Sequence, residues 1–173
     1  MSILKVNTIQ DKGGNNLLVS DGAGTISSGG AMTNTPAFFG YQSSTQSISN
    51  ASWTKITFNT ERWDTSSAFD LSNSKFTVPT GYAGKYYLSY HIEIPGVDAN
   101  ERTLLALQKN GSRVDESYVN EQKASADRDC QLTANIVLDL SVGDYIETVC
   151  YQDSGGSQNA RYGWLQGYRL IGV

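Results

Sequence analysis

Few side chains in this sequence could do chemistry, and their spacing argues against catalysis. His91 is the only histidine and lies in an alternating run with Glu93 two positions on. A general base, or a Ser-His-Asp or Cys-His site, would have to use it, and no nucleophile motif surrounds a serine or cysteine. It reads as a structural or interface histidine. Cys130 and Cys150 sit inside apolar runs and read as buried thiols rather than a disulfide; neither has metal-ligand spacing. Gly22-Ala23-Gly24 lacks the third glycine and the following helix of a dinucleotide loop. Asp98, Glu101, Asp127 and Asp129 fall near predicted loops and could meet to hold Ca²⁺. No EF-hand spacing supports that, and solvated loops are the simpler reading. We therefore expect no enzyme activity, no cofactor and no metal.

Binding chemistry is better represented. Arg62, Trp63 and Asp64 lie in a long predicted connection, Glu61–Asn73. A tryptophan exposed beside charge suits contact with a sugar or a partner protein, so Arg62 and Trp63 are candidate ligand contacts; the other reading packs Trp63 over one end of the fold. The net charge of −4 argues against nucleic acid, whose phosphates are held by Lys and Arg. No stretch approaches the roughly 20 apolar residues of a membrane span, and the N-terminus lacks the long apolar run of a signal peptide. Without a secretory route, the triplets at Asn50 and Asn110 are chance matches to a glycosylation signal.

The elements that would position these residues are strands. In Gly84–Pro95, Tyr86, Leu88, Tyr90, Ile92 and Ile94 fall on one face, and Lys85, Tyr87, Ser89, His91 and Glu93 on the other. The apolar face needs a second sheet; the mixed face must meet water or another polar surface, such as a subunit contact. Asp129–Leu140 alternates in the same way, with Cys130, Leu132, Ala134, Ile136 and Leu138 opposite Gln131, Thr133 and Asn135. Further strands are expected at Ala37–Tyr41, Trp53–Phe58, Lys75–Val78, Thr103–Lys109, Ser112–Val119, Tyr145–Gln152 and Trp164–Ile171, with Gln42–Ala51 a loop. Asn110-Gly111 is a hairpin turn, because both of its positions need positive φ. Trp53, Trp164, Tyr86 and Tyr90 are expected in the core, each contributing about 2–3 kcal/mol by burial. Strands roughly every 8–12 residues, 17 glycines and no helical period indicate an all-β sandwich or jelly roll.

Residues 1–35 differ. Short extended runs at Ile3–Ile9 and Asn16–Ser20 are broken by Gly-Asn turns and followed by Ser27-Ser28-Gly29-Gly30, a linker sequence. The segment is too short to bury a core of its own. Its strand-and-turn pattern suits pairing with copies of itself or docking on another protein. The expected division is residues 1–35 and residues 36–173.

Four pieces occur in order in the second part: Phe76-Thr77-Val78-Pro79 leading to Gly84-Lys85-Tyr86-Tyr87; Leu107-Gln108-Lys109-Asn110-Gly111; Leu138-Asp139-Leu140-Ser141-Val142-Gly143-Asp144-Tyr145; and Leu165-Gln166-Gly167-Tyr168-Arg169-Leu170. Together they resemble the globular head of complement C1q and its tumour-necrosis-factor relatives. The resemblance implies a jelly roll of about ten strands that assembles as a compact homotrimer. It also implies that the sheet holding Gly84–Pro95, Asp129–Leu140 and the closing strand faces the trimer axis. Tyr87, Ser89, His91, Gln131, Thr133 and Asn135 would then meet their symmetry mates, and Lys85 or Glu93 would need water or partners there. Animal members of the family usually carry a secretion signal and often a collagen stalk. Here Ser2–Gln10, a Gly-Asn turn and Leu17-Leu18-Val19 instead resemble the N-terminal segment of bacteriophage tail-fibre and related virion proteins. The resemblances together imply a virion protein, a fibre or knob. Its residues 1–35 would hold another virion protein, and its head would meet a host-surface glycan or protein. A capsid-decorating or tail-adaptor protein without a receptor, and a secreted C1q-like recognition protein, are the alternatives.

Overall fold

The computed structural model describes residues 6–20, 22–23, 26–28, 34–97, 101–122 and 128–170. It divides into two compact units, Met1–Asn34 with Ile171–Val173, and Thr35–Leu170. The first holds β1 (Thr8–Gln10), β2 (Asn16–Ser20) and β3 (Ile26–Ser28), an antiparallel sheet in that order. Asp11 shapes the first turn, its carboxylate accepting from the Asn15 side chain and backbone N–H, each at 2.9 Å. Val6, Ile9 and Leu17 of this unit are exposed.

The second unit is a sandwich of two antiparallel sheets. In chain order its strands are β4 (Ala37–Tyr41), β5 (Gln46–Ile48), β6 (Thr54–Lys55), β7 (Thr60–Asp64), β8 (Phe69–Asp70), β9 (Lys75–Thr77), β10 (Gly84–Val97), β11 (Arg102–Lys109), β12 (Ser112–Arg113), β13 (Val119–Gln122), β14 (Arg128–Leu140), β15 (Tyr145–Gln152) and β16 (Gln158–Arg169). One sheet runs β14-β10-β16-β4-β7 with β5 beside β16; the other runs β12-β11-β15-β9-β8, with β13 on β11 and β6 on β15.

The long strand β10 centres the first sheet, and the alternation read from its sequence is its burial pattern. Tyr86, Leu88, Tyr90, Ile92 and Ile94 are fully buried against Leu105, Leu107 and Ile146 of the opposite sheet. Phe38 of β4 stacks on Phe76 of β9 with ring centroids 4.3 Å apart, joining the layers. Each buried tyrosine finds an acceptor for its hydroxyl: Tyr86 donates to Tyr82 O at 2.6 Å, and Tyr90 to Ser117 O. Burial pushes both phenols up to about 12. Cys130 and Cys150 are buried and not disulfide-bonded; burial pushes the Cys150 thiol up to about 12, well away from reactive thiolate character.

Several sequence expectations are corrected. The connection 61–73 contains β7 and β8. Thr-Glu-Arg-Trp-Asp shows no alternation because β7 is an edge strand, held to β4 by backbone pairing with a bulge at Arg62. Only Thr54–Lys55 of the stretch 53–58 pairs as strand; beyond it the Thr57 and Phe58 amides donate to Gln46 Oε1 and Ser74 Oγ instead of a neighbouring strand. The run 112–119 is broken after Arg113 by a 3-10 turn at Asp115–Ser117, whose Ser117 hydroxyl donates to Val114 O at 2.6 Å and accepts the Leu107 N–H at 2.8 Å. The stretch 42–51 contains β5. Trp164 and Trp53 are not core residues. Trp164 lies on the outward face of β16, and Trp53 stacks against Tyr118 and Tyr151 with Arg113 4.7 Å from its ring. Their large rings made burial the natural expectation, but the phase of β16 turns Trp164 outward, and Trp53 precedes β6 and is only partly buried.

Candidate binding face

The outward face of the β14-β10-β16-β4-β7 sheet is built in rows fixed by the register. One row runs Thr133, His91, Trp164, Tyr41; the next runs Asn135, Ser89, Gln166, Phe39, Trp63; a third runs Val137, Tyr87, Tyr168. All six predicted contact residues, Tyr87, Ser89, His91, Gln131, Thr133 and Asn135, therefore share this face.

On the β10–β14 half the polar groups satisfy one another. Tyr87 donates its hydroxyl to Asn135 Oδ1 at 2.9 Å, and His91 Nδ1 lies 2.7 Å from Thr133 Oγ1. Glu93, only 5% exposed, accepts from Gln131 Nε2 and from Arg161 Nε, while Arg161 also reaches Asp129 at 3.0 Å. The hydrogen bond to Glu93 raises the Arg161 guanidinium further above its ordinary range. Burial lowers His91 below its ordinary 6.5, against an opposing pull from Glu93. Burial thus favours the neutral ring, which stacks on Trp164 with centroids 5.6 Å apart.

The β16–β4–β7 half is aromatic. Phe39 stacks on Trp63 at 5.1 Å and on Trp164 at 6.1 Å, and the Arg62 guanidinium lies 5.4 Å from the Phe39 centroid and 5.5 Å from that of Tyr41. Arg62 and Trp63 thus sit on a strand over this face, not in a loop. Beside them an open cleft of about 450 Å³ lies between Tyr41, Arg62, Tyr162 and Trp164, with Gln42 at its base. Phe39, Tyr41, Gln42, Tyr162 and Trp164 escaped the sequence reading. The run Ala37–Tyr41 is apolar throughout and so prints no alternation, yet only Phe38 and Gly40 point inward. Tyr162 and Gly163 form a bulge against Ile92, and nothing in a single sequence marks a bulge of that kind.

Of the acidic residues considered for Ca²⁺, Asp98 and Asp127 lie outside the described residues and Asp129 pairs with Arg161. Among the described residues no group of three or more His, Cys, Asp or Glu side chains could hold a metal.

A model of the C1q domain matches residues 37–168. The chain belongs to the C1q domain family. The globular domain of zebrafish complement 1qA is similar in structure, with a TM-score of 0.58 and 21% identity over 79% of this chain and 98% of that one. Eiger, a TNF from S. frugiperda, gives 0.57 and 14% over 79% and 92%. Murine APRIL gives 0.51 and 13% over 78% and 98%. At these identities the likeness is one of fold. No curated protein sequence matches the chain. C1q/TNF-like domains are non-enzymatic recognition modules that typically trimerise.

The C1q motif pieces have local physical reasons here. Lys109 and Asn110 meet Asp144 across two turns: Lys109 Nζ at 2.8 Å and Asn110 Nδ2 at 2.7 Å from its carboxylate, with the Ser141 N–H at 2.8 Å. The Lys109 and Asn110 hydrogen bonds hold Asp144 down at about 2. Asn110 and Gly111 take φ of 54° and 79°, the left-handed pair a two-residue hairpin needs. Gly167 admits no side chain: a Cβ there would lie 2.7 Å from Leu88 Cδ2 and 2.8 Å from the Tyr87 carbonyl.

Proposed function

We propose that this C1q domain is the head of a homotrimeric bacteriophage virion protein, a fibre or knob, that meets the host surface. The observation that carries the reading is the outward face of the β14-β10-β16-β4-β7 sheet. A single protomer leaves Trp63, Val137 and Tyr168 at 48%, 49% and 37% exposure on it, beside half-buried Tyr87, His91 and Trp164. Such a patch marks an interaction surface. On this face Tyr87 is tied to Asn135, His91 to Thr133 and Gln131 to Glu93 within the protomer, so these pairs and Ser89 beside them suit contact with identical copies. The exposed Val6, Ile9 and Leu17 of the N-terminal sheet favour docking of that unit on another virion protein. Three weak sites on one head would give useful avidity without any strong single contact.

The test is binding of the purified protein to host cells, paired with its mass in solution. A trimer that binds cells supports the proposal. A trimer that coats only particles points to a capsid-decorating or tail-adaptor protein, and a monomer removes the assembly on which either depends.

A further inference from the structure

The outward face of the other sheet, β12-β11-β15-β9-β8, carries an apolar layer that the core does not use. Leu105, Leu107, Ile146 and Cys150 turn inward to the core, so alternation turns Leu104, Ala106 and Val149 outward, yet all three are buried. The same face brings together Trp53, Tyr118 and Tyr151, with the Trp53 ring 6.2 Å from Tyr118 and 5.6 Å from Tyr151, and the register sets Tyr151 opposite Leu104. Tyr118 remains 43% exposed there.

The rings are fixed by the backbone that carries them. Trp53 follows Ala51, whose φ of 53° is uncommon for a residue with a side chain and whose N–H donates to Gln152 O at 2.7 Å. Tyr118 follows the 3-10 turn, where Ser117 O accepts the buried Tyr90 hydroxyl and the Ser117 hydroxyl accepts the Leu107 N–H at 2.8 Å. Backbone strain of the Ala51 kind clusters at functional positions, and side chains ordered beforehand lose little freedom on binding.

Charge is left open beside the rings. The Arg113 guanidinium lies 4.7 Å from the Trp53 ring centroid and has no ion pair or hydrogen bond among the described residues. Lys55 and Arg102 on the same face are paired, with Glu147 at 3.0 Å and Asp153 at 2.7 Å. Stacking engages the flat side of the Arg113 guanidinium and leaves its N–H edge available. The amides of Asn120, opposite Leu104, and Gln108, opposite Arg113, also lack hydrogen bonds among the described residues. Assembly through the β14-β10-β16-β4-β7 sheet leaves this face open, because it lies on the other side of the sandwich.

We infer that this platform binds an acidic sugar within a glycan chain, a pyranose bearing a carboxylate. The aromatic rings take its C–H face, Arg113 takes the carboxylate, and Asn120 and Gln108 meet hydroxyls. An uncompensated cation calls for an anion, fixed rings for an apolar surface, and amides that each donate and accept for hydroxyl groups; an acidic sugar offers all three. The open sheet face leaves the chain room to continue at both ends. The inference rests on the host-surface reading for its biological sense and on the platform alone for its chemistry.

The test titrates the full chain with cellobiouronic acid, cellobiose and acetate, followed by NMR of the Trp53 indole and by calorimetry. The acid disaccharide should bind roughly tenfold or more tightly than cellobiose, the worth of one charged hydrogen bond, and more tightly than acetate. Arg113→Ala should abolish the preference for the acid at unchanged mass and Tm, and Arg113→Lys should restore part of it. Tyr118→Ala should weaken both disaccharides. Lys75→Ala, on the same face but beside Tyr145, should change neither. The inference falls if cellobiouronic acid does not bind, if cellobiose or acetate binds equally well, or if Arg113→Ala keeps the preference. A trimer that binds the acid but not host cells would remove the adhesin reading and leave the platform standing; one that binds cells but not the acid would remove only the platform.

Discussion

The two halves of one sheet face differ in what they leave unfinished. On β10–β14 the donors and acceptors answer one another: Tyr87 with Asn135, His91 with Thr133, Glu93 with Gln131 and Arg161. On β16–β4–β7, a few ångströms across the same sheet, Arg62 has only rings beneath it and Gln42 Nε2 has nothing. A closed network can meet an identical surface without new hydrogen bonds, whereas open donors call for an acceptor from outside. The face thus combines a half whose named groups pair within the protomer with a half that leaves donors open.

Substitutions should separate these halves, and the largest expected effect belongs to the β10–β14 half. His91→Asp would set three carboxylates near one axis if three copies meet there. Like charges brought together cost several kcal/mol, so the oligomer should dissociate at concentrations where the parent protein holds; an unchanged mass by sedimentation would place His91 elsewhere. Gly167→Ala, at the junction of the halves, forces Leu88 and the Tyr87 carbonyl apart and should cost about 3 kcal/mol in urea unfolding. Glu93→Ala should cost about 2 kcal/mol, because Arg161 and Gln131 lose a nearly buried acceptor. The pH dependence is gentler. Burial holds His91 below 6.5 in the fold, so the unfolded chain takes up the proton first as pH falls. Its contribution is fully present above about pH 6.5 and declines below it, and a His91→Gln variant should lose that part of the Tm slope between pH 8 and 5. Smallest is Arg62→Ala, which should shift stability by less than about 1 kcal/mol, since an exposed cation–π contact contributes only about 0.5–1 kcal/mol. A large loss there would mean that the open half is structural after all.

What was legible in the sequence follows the same physics. The strand β10 could be read residue by residue because a half-buried strand prints its burial as alternation, and β14 likewise. Asn110-Gly111 could be read because two consecutive left-handed positions admit few residue types. The edge strand β7 could not, since backbone pairing to one neighbour imposes no pattern on Thr60–Asp64. The outward rings of Phe39, Tyr41 and Trp164 were hidden for the opposite reason. Aromatic residues suggest a core, and only the pairing of β16 with β10 and β4 fixes which way each points. Tyr87, Ser89, His91, Gln131, Thr133 and Asn135 could be placed on one face because they lie in two alternating strands. The cleft was out of reach because its walls come from three separate stretches, around Tyr41, at Arg62 and around Tyr162, the last of them a bulge. Of the N-terminal strands, Asn16–Ser20 was legible as an extended run, whereas β1 is Thr8–Gln10 rather than the expected run ending at Ile9, and β3 takes in Ser27 and Ser28 of the expected linker; Val6, Ile9 and Leu17 stay exposed there, so no internal pattern says what they meet.

The account turns on whether the outward face of this sheet joins copies of the chain, and light scattering of the purified protein at micromolar concentration addresses that directly. We expect three times the 18.8 kDa mass of the chain. A stable species of 18.8 kDa, with Tyr87, His91 and Asn135 facing bulk water, would contradict it.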